Sequence, residues 1–319
     1  MLILPEALIA DLVTAEDAFS AIRACFAAMA QGAARNFPVV REALGEGRQY
    51  GFKSGLDTAG GQLGVKAGGY FPGNAARGMI NHQSSVFLFD PETGRPRAMV
   101  GGNLLTALRT AAAAALSIDL LAVPEARVLG IVGAGHQAAF QLRAAARVRR
   151  FDRVIGWNRS PARLAGLAAV AADLGLPFEA VPLARMVEAQ VIVTITSSPA
   201  ASLLAAHVAP GTHLACMGTD TAGKQEVAAD LVAGASVFTD EVAQSVTIGE
   251  AQHAVAAGRL EPADIVPLGA VVTGAHPGRR GAGEITLYDG TGVGLQDLAV
   301  AAVAVERARA RGQGIEVAV

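Results

Sequence analysis

Cysteine, aromatic rings and runs of like charge are all scarce in this chain, and each scarcity closes off a class of protein. Two cysteines occur in 319 residues, Cys25 in a helical pattern and Cys216 in a strand pattern, which is too few for a disulfide framework. They read as buried thiols of a reducing cytoplasm. The six histidines, at 82, 136, 207, 213, 253 and 276, show no metal-ligand spacing and no accompanying Cys pair, so no metal is expected. The net charge is −2 and no basic run exceeds Arg149-Arg150, which argues against a nucleic-acid partner. Gly, Pro or charge breaks every apolar stretch before about 18 residues, so no membrane span is expected. The start, Met1-Leu-Ile-Leu-Pro5, lacks the basic region and cleavage site of a secretory signal.

What the chain does have is apolar bulk, with 52% hydrophobic residues, enough for well-packed cores rather than disorder. Its length exceeds one ordinary core, so two domains of about 100 to 200 residues are expected. Thr14 with Asp17 forms a capping box ahead of Phe19, Ile22, Phe26 and Met29 at helical spacing. From about Phe37 to Ala98 the pattern is short strands with Gly and Pro turns, an α+β organisation. A helix follows over about Leu104 to Leu121, then strands alternate with helices from Val128 to about Asp240. A final helix lies between Gly290 and Arg311, with Leu295, Leu298, Ala299, Ala302 and Val303 on one face.

One segment carries chemistry on its own terms. Val128 to Val132 suit a buried parallel strand, Gly133 a tight turn, Gly135 the close approach of backbone to a pyrophosphate, and Ala138 a helix packed on a strand. The helix opened by His136 and Gln137 would hold the phosphates on its N–H groups. A second strand, Arg153 to Trp157, ends at Asn158-Arg159-Ser160, where a ribose-reading group is expected. No acid stands there to favour NADH; Arg159 suits the 2′-phosphate of NADPH, unless it only solvates a loop. Val191 to Thr196 and His213 to Met217 read as further buried strands. Their ends, Thr196-Ser197-Ser198 and Met217-Gly218-Thr219-Asp220, are then placed at the mouth of the sheet, with Asp220 the carboxylate of interest.

The first half supplies cations. Arg41, Lys53, Lys66 and Arg109 stand among apolar or small neighbours, where a charge is costly without a partner. An anionic substrate is one such partner; the alternative is side chains snorkelling to the surface.

Five segments in order resemble the ornithine cyclodeaminase/mu-crystallin family: Gly64-Val-Lys66, Leu88-Phe-Asp-Pro-Glu-Thr-Gly94, Leu105-Thr-Ala-Leu-Arg-Thr-Ala111, Gly130-Ile-Val-Gly-Ala-Gly135 and Gly218-Thr-Asp-Thr-Ala-Gly-Lys-Gln-Glu226. The resemblance implies an α/β protein with two domains. One is a Rossmann-type doubly wound parallel sheet over residues 121–294. The other is an α+β substrate-binding and dimerisation domain of residues 1–120 with 295–319, facing it across a cleft in a homodimer. It also implies roles: Arg41, Lys66 and Arg109 clamp the substrate carboxylate, and Asp220 is the acid/base. Lys66 and Asp220 are thus the catalytic pair, and Gly133 to Ala138, Asn158 to Ser160, Thr196 to Ser198, Met217 and Gly218 hold NADH or NADPH.

Members of the family act on α-imino acids, and one position helps to choose among them. Ornithine cyclodeaminases of this family carry a glutamate for the distal amine thirteen residues before the clamp lysine, and Lys53 stands there in this chain. A cation in that place disfavours ornithine and favours a second substrate carboxylate, with His82 or Arg48 beside it. The segments Asn36 to Glu42, Gly101 to Leu105 and Thr239 to Glu250 are similar to the iminosuccinate reductase branch, which makes L-aspartate in the β-hydroxyaspartate cycle. The expectation is an NAD(P)H-dependent imino-acid reductase acting on iminosuccinate. The alternatives are an ornithine cyclodeaminase, an alanine dehydrogenase, a reductase of pyrroline- or piperideine-2-carboxylate, and a mu-crystallin-like binding protein.

Overall fold

The structure, a computed structural model, describes residues 1–319. In chain order it begins with β1 (Leu2–Leu4), a helix over Ala15–Ala30, β2 (Ala34–Asn36), β3 (Val40–Gly45), β4 (Arg48–Asp57), β5 (Gln62–Tyr70), β6 (His82–Phe89) and β7 (Pro96–Gly101). A helix, Asn103–Leu121, leads to β8 (Val128–Val132), a helix His136–Val148, β9 (Arg153–Trp157), β10 (Phe178–Ala180), β11 (Val191–Thr194) and β12 (His213–Cys216). After these come β13 (Ser236–Thr239), β14 (Val266–Pro267), β15 (Thr286–Asp289), the helix Gly294–Ala310 and β16 (Ile315–Glu316). The chain divides into two compact units, Met1–Arg109 with Val293–Val319, and Thr110–Gly292. The division falls inside the helix Asn103–Leu121, whereas the sequence alone suggests its C-terminal end, at residue 120.

In the first unit one sheet runs β16-β1-β7-β6-β5-β4-β2, with β3 paired to β4. Every pairing is antiparallel except β1 with β7. The capping box forms as expected, with the Asp17 backbone N–H donating to the Thr14 hydroxyl and the Thr14 N–H to the Asp17 carboxylate. Ile22 and Phe26 are buried on the helix that it starts. Asp17 also receives Arg307 at 2.6 and 2.8 Å, which ties this helix to the C-terminal one and holds the Asp17 carboxyl well below the usual carboxylate range. The helix Gly294–Ala310 lies on one face of the sheet. A Cβ at Gly64 would come within 2.7 Å of the Leu298 side chain, so the absence of a side chain there sets how closely helix and sheet approach.

The second unit is an eight-stranded, wholly parallel sheet ordered β10-β9-β8-β11-β12-β15-β13-β14. The chain enters in the middle at β8, winds outward to β10, then returns to pair β11 with the other side of β8. The strand ends of β8 and β11 therefore flank the topological switch point at which such sheets bind ligands. β15, from late in the sequence, inserts between β12 and β13, which the alternating pattern up to Asp240 does not disclose. β11 stops at Thr194 and β12 at Cys216, short of Thr196 and Met217. The reason is a side chain: the N–H groups of Thr196 and Gly218 donate to the Glu226 carboxylate rather than to a neighbouring strand.

The helix Asn103–Leu121 has the length and apolarity to cross a membrane. That exceeds the sequence-based expectation, because Arg109 and Asp119 are its only charges. Most of it is buried within the protein, Ala111 to Leu116 and Ile118 included, as in a core helix.

Candidate functional site

In the first unit the cations of the sequence converge. Lys53 on β4 and Lys66 on β5 are directly opposed in register, so both side chains leave the same face of the sheet. Arg41 on β3 stands opposite Gly51, two residues from Lys53 and on that face as well, and its charge acts on Lys66. Arg109 reaches the same place from the helix Asn103–Leu121. Lys53, Lys66 and Arg109 are only 7%, 6% and 6% exposed, and one buried carboxylate, Asp297, answers them. The buried charge of this unit is therefore 3 − 1 = +2. Burial of surplus charge is costly unless a counter-charge completes it, so the arrangement suits an anionic ligand.

The hydrogen bonds fix the geometry. Lys66 Nζ donates to Asp297 Oδ1 at 3.1 Å and to Thr106 Oγ1 at 3.2 Å. Arg109 Nε donates to the same Asp297 oxygen at 3.1 Å, and its Nη1 to Gln296 Oε1 at 3.1 Å. Burial pushes the Lys66 ammonium down to about 8, against the opposing pull of Asp297 and with further lowering by Arg109 and Arg41. Burial alone would raise the Asp297 carboxyl, but the Arg109 and Lys66 charges outweigh it and hold it below the usual range. A Cβ at Gly294 would meet the Ser54 nitrogen at 2.6 Å, so the helix that carries Gln296 and Asp297 starts against the β4 backbone beside Lys53.

In the second unit the glycine turn follows β8. Gly133 sits at φ +114°, in the left-handed region, and a Cβ there would come within 2.6 Å of the Ile195 carbonyl oxygen, so only glycine fits. A Cβ at Gly135 would meet nothing within 4 Å, which leaves the open approach that a pyrophosphate needs. Gly135 is the N-cap of the helix His136–Val148; no side chain caps it and no acid lies in its first turn, so its N–H groups suit phosphate oxygens. Ala138 is buried as helix-to-strand packing requires, while His136 is exposed. At the end of β9, Asn158 donates to the Ser160 carbonyl at 2.8 Å and Arg159 is exposed. These residues fit a dinucleotide.

Beyond β11 and β12, Thr196 and Gly218 are joined by Glu226. Its Oε1 accepts from the Thr196 N–H and, at 2.7 Å, from the Thr196 hydroxyl; its Oε2 accepts from Thr194 Oγ1 at 2.8 Å and the Gly218 N–H at 2.7 Å. Met217 is buried, and Ser198 donates to the Ala200 carbonyl at 2.7 Å. Asp220 lies just past this clamp, about a third exposed, and accepts from Lys224 Nζ at 2.8 Å.

Two expected partners of Lys53 lie elsewhere. His82 faces Tyr70, four residues along β5 from Lys66, or roughly 13 Å of strand. Arg48 is exposed, pairing with Glu46 at 3.2 Å and bonding the carbonyls of Leu44 and Gly45, because it opens β4 next to the β3–β4 turn. Asp297, Gln296 and Glu226 are absent from the sequence-based set. An acid next to Gln296 at the start of the otherwise apolar run Leu295 to Val303 was the available signal for the first.

The model of the ornithine cyclodeaminase/mu-crystallin family matches residues 3–312. Over 319 residues the chain is 61% identical to the iminosuccinate reductase of Paracoccus denitrificans (strain Pd 1222), with 99% of each chain covered. A crystal structure of the iminosuccinate reductase of Paracoccus denitrificans in complex with NAD+ matches with a TM-score of 0.95 at 60% identity, covering 100% of this chain and 99% of that one. An archaeal alanine dehydrogenase dimer with bound NAD matches with a TM-score of 0.94 at 30% identity, covering 100% and 99%.

Proposed function

The chain belongs to the ornithine cyclodeaminase/mu-crystallin family, and from that premise we propose that it is a nicotinamide-dependent imino-acid reductase that converts iminosuccinate to L-aspartate. The observation that carries the choice of substrate is Lys53, buried and opposed in register to Lys66. A monocarboxylate would satisfy one end of this cationic surface; a dicarboxylate satisfies both. The identity of 61% to an iminosuccinate reductase supports the same choice.

In this reading Lys66, Arg109 and Arg41 bind the α-carboxylate and so orient the imine carbon. Lys53 binds the distal carboxylate. Asp220, paired with Lys224, stabilises the cationic iminium nitrogen and moves its proton. The N–H groups opening the helix at His136 and Gln137 bind the pyrophosphate, Asn158 to Ser160 the ribose, and Thr196 to Ser198 with Met217 and Gly218 line the place of the nicotinamide. The nicotinamide, when bound, supplies the hydride. NAD(H) rather than NADP(H) is the preferred carrier, because the two solved relatives above hold NAD.

The protein acts as a homodimer in this reading. Support comes from the dimeric alanine dehydrogenase and from Val40, Tyr50 and Phe52, which are 45%, 37% and 43% exposed on the outer face of β3 and β4. The two buried free thiols suit a cytoplasmic setting. The test is the purified protein with NADH and iminosuccinate formed in place from oxaloacetate and ammonia. NADH oxidation with stoichiometric L-aspartate is expected; absence of turnover would overturn the proposal.

A further inference from the structure

Asp297 is the one charged group of the first unit's pocket to which no role has been given. It is fully buried in the first turn of the helix Gly294–Ala310, 231 residues from Lys66 and 188 from Arg109. One oxygen, Oδ1, serves both cations, while Oδ2 is buried without any hydrogen-bond partner. A half-satisfied carboxylate at the start of a packed helix is an expensive way to fill space, and an apolar or amide side chain would cost less. What justifies it is charge: the Arg109, Lys66 and Lys53 cations all act on it.

We propose that Asp297 is the positioning residue of the substrate pocket, a fixed internal anion that aims Lys66 and Arg109 from a single oxygen and keeps the cation cluster charged for a carboxylate ligand. This rests on the reading of the pocket as the seat of the substrate carboxylates. The groups facing Lys66 are Arg41 from β3, Lys53 from β4, Arg109 and the Thr106 hydroxyl from the helix Asn103–Leu121, and Asp297 from the C-terminal helix. Three of the four charges among them expel its proton, and Asp297 alone retains it. Gln296, the preceding residue, holds the Arg109 fork at a second point without adding charge. Removing the Asp297 charge therefore leaves the pocket more cationic where Lys66 is protonated and less competent where it is not.

The test measures succinate, a redox-inert dicarboxylate, by calorimetry on the full-length protein. In Asp297→Asn, affinity is expected within about threefold of wild type near pH 6, and about tenfold or more weaker near pH 7.5, one unit of pKa being a factor of ten in protonation. NADH affinity, which reports the other unit, is expected to stay unchanged. An equal loss at both pH values would mark Asp297 as merely structural and overturn the inference. Should Asp297→Asn fail to fold, Asp297→Glu decides: with charge kept but its oxygen displaced, it is expected to lose affinity at both pH values while keeping the wild-type pH midpoint. A wild-type midpoint not kept, or affinity unaltered, overturns the inference. A wild-type protein that binds no succinate at either pH refutes the pocket reading and the inference together, a result separable from failure in the variants alone.

Discussion

The two units bury charge of opposite sign and resolve it differently. The first buries three cations against one carboxylate; the second buries Glu226, Asp240, Glu250 and Asp289 and no Lys or Arg. In the second unit most of the surplus is quenched internally. Glu226 accepts four hydrogen bonds from Thr194, Thr196 and Gly218, and Glu250 accepts from the N–H groups of Glu226 and Val227 at 2.9 and 2.7 Å. Asp240 accepts from Thr291 and Gly292. Burial pushes the Glu250 carboxyl up to about 8 and that of Asp289 up to about 7, so protonation removes what hydrogen bonds do not. In the first unit a lysine and an arginine share a single oxygen. The lesson is that a net surplus of buried charge marks a ligand site where one carboxylate faces three cations, and a structural clamp where hydrogen bonds and protonation absorb it.

That contrast can be broken most severely at Lys53. Lys53→Glu changes the buried charge of the first unit from 3 − 1 = +2 to 2 − 2 = 0. A fall of about a hundredfold or more in kcat/KM for iminosuccinate is expected, since uncompensated charge at a buried contact costs several kcal/mol. NADH affinity, followed by fluorescence, should not change. Unaltered turnover would make Lys53 a bystander. The matching change in the second unit is Glu226→Gln, which keeps volume but turns an NH2 toward two of the four donors. Orphaning them costs about 1–3 kcal/mol each. The expected result is a lower Tm and an NADH Kd raised about tenfold, with succinate affinity unchanged; reversal of that pattern would contradict the assignment of clamp and pocket.

The smallest effect sharpens the contrast through pH. Glu250 and Asp289 have folded pKa values raised above their unfolded ones, so their stabilisation is complete at low pH and is lost as pH rises through about 7 to 8. Lys66, lowered from 10.5 to about 8, has the opposite sign: folding gains stability between those values as the unfolded chain holds the extra proton. Calorimetric Tm should therefore fall from about pH 5.5 to about pH 8 and recover in part between about pH 8 and pH 10.5. A Tm that rises across the first interval would refute the protonated state of the acidic cluster.

The parts legible in the sequence are those set by neighbours along the chain. The capping box at Thr14 and Asp17, the strand Val128–Val132 and the left-handed turn at Gly133 each depend on residues within a few positions. The cations Lys53, Lys66 and Arg109 stand out because each interrupts small or apolar surroundings. Asp297 also interrupts an apolar helix face, but its role and that of Glu226 are set by partners far away: 231 residues for Asp297 with Lys66, and 32 for Glu226 with Thr194. β15 is hidden for the same reason, its place between β12 and β13 being decided by the sheet. His82 illustrates the converse. Its distance from Lys53 is set by strand register, which places it opposite Tyr70, four residues along β5 from Lys66.

The central claim is that the cationic surface of the first unit selects a substrate with two carboxylates. The most direct measurement is the ratio of kcat/KM for iminosuccinate to that for pyrroline-2-carboxylate, with NADH as donor. A ratio of about a hundred or more is expected from a second buried charge pair. A ratio near or below one would contradict the account.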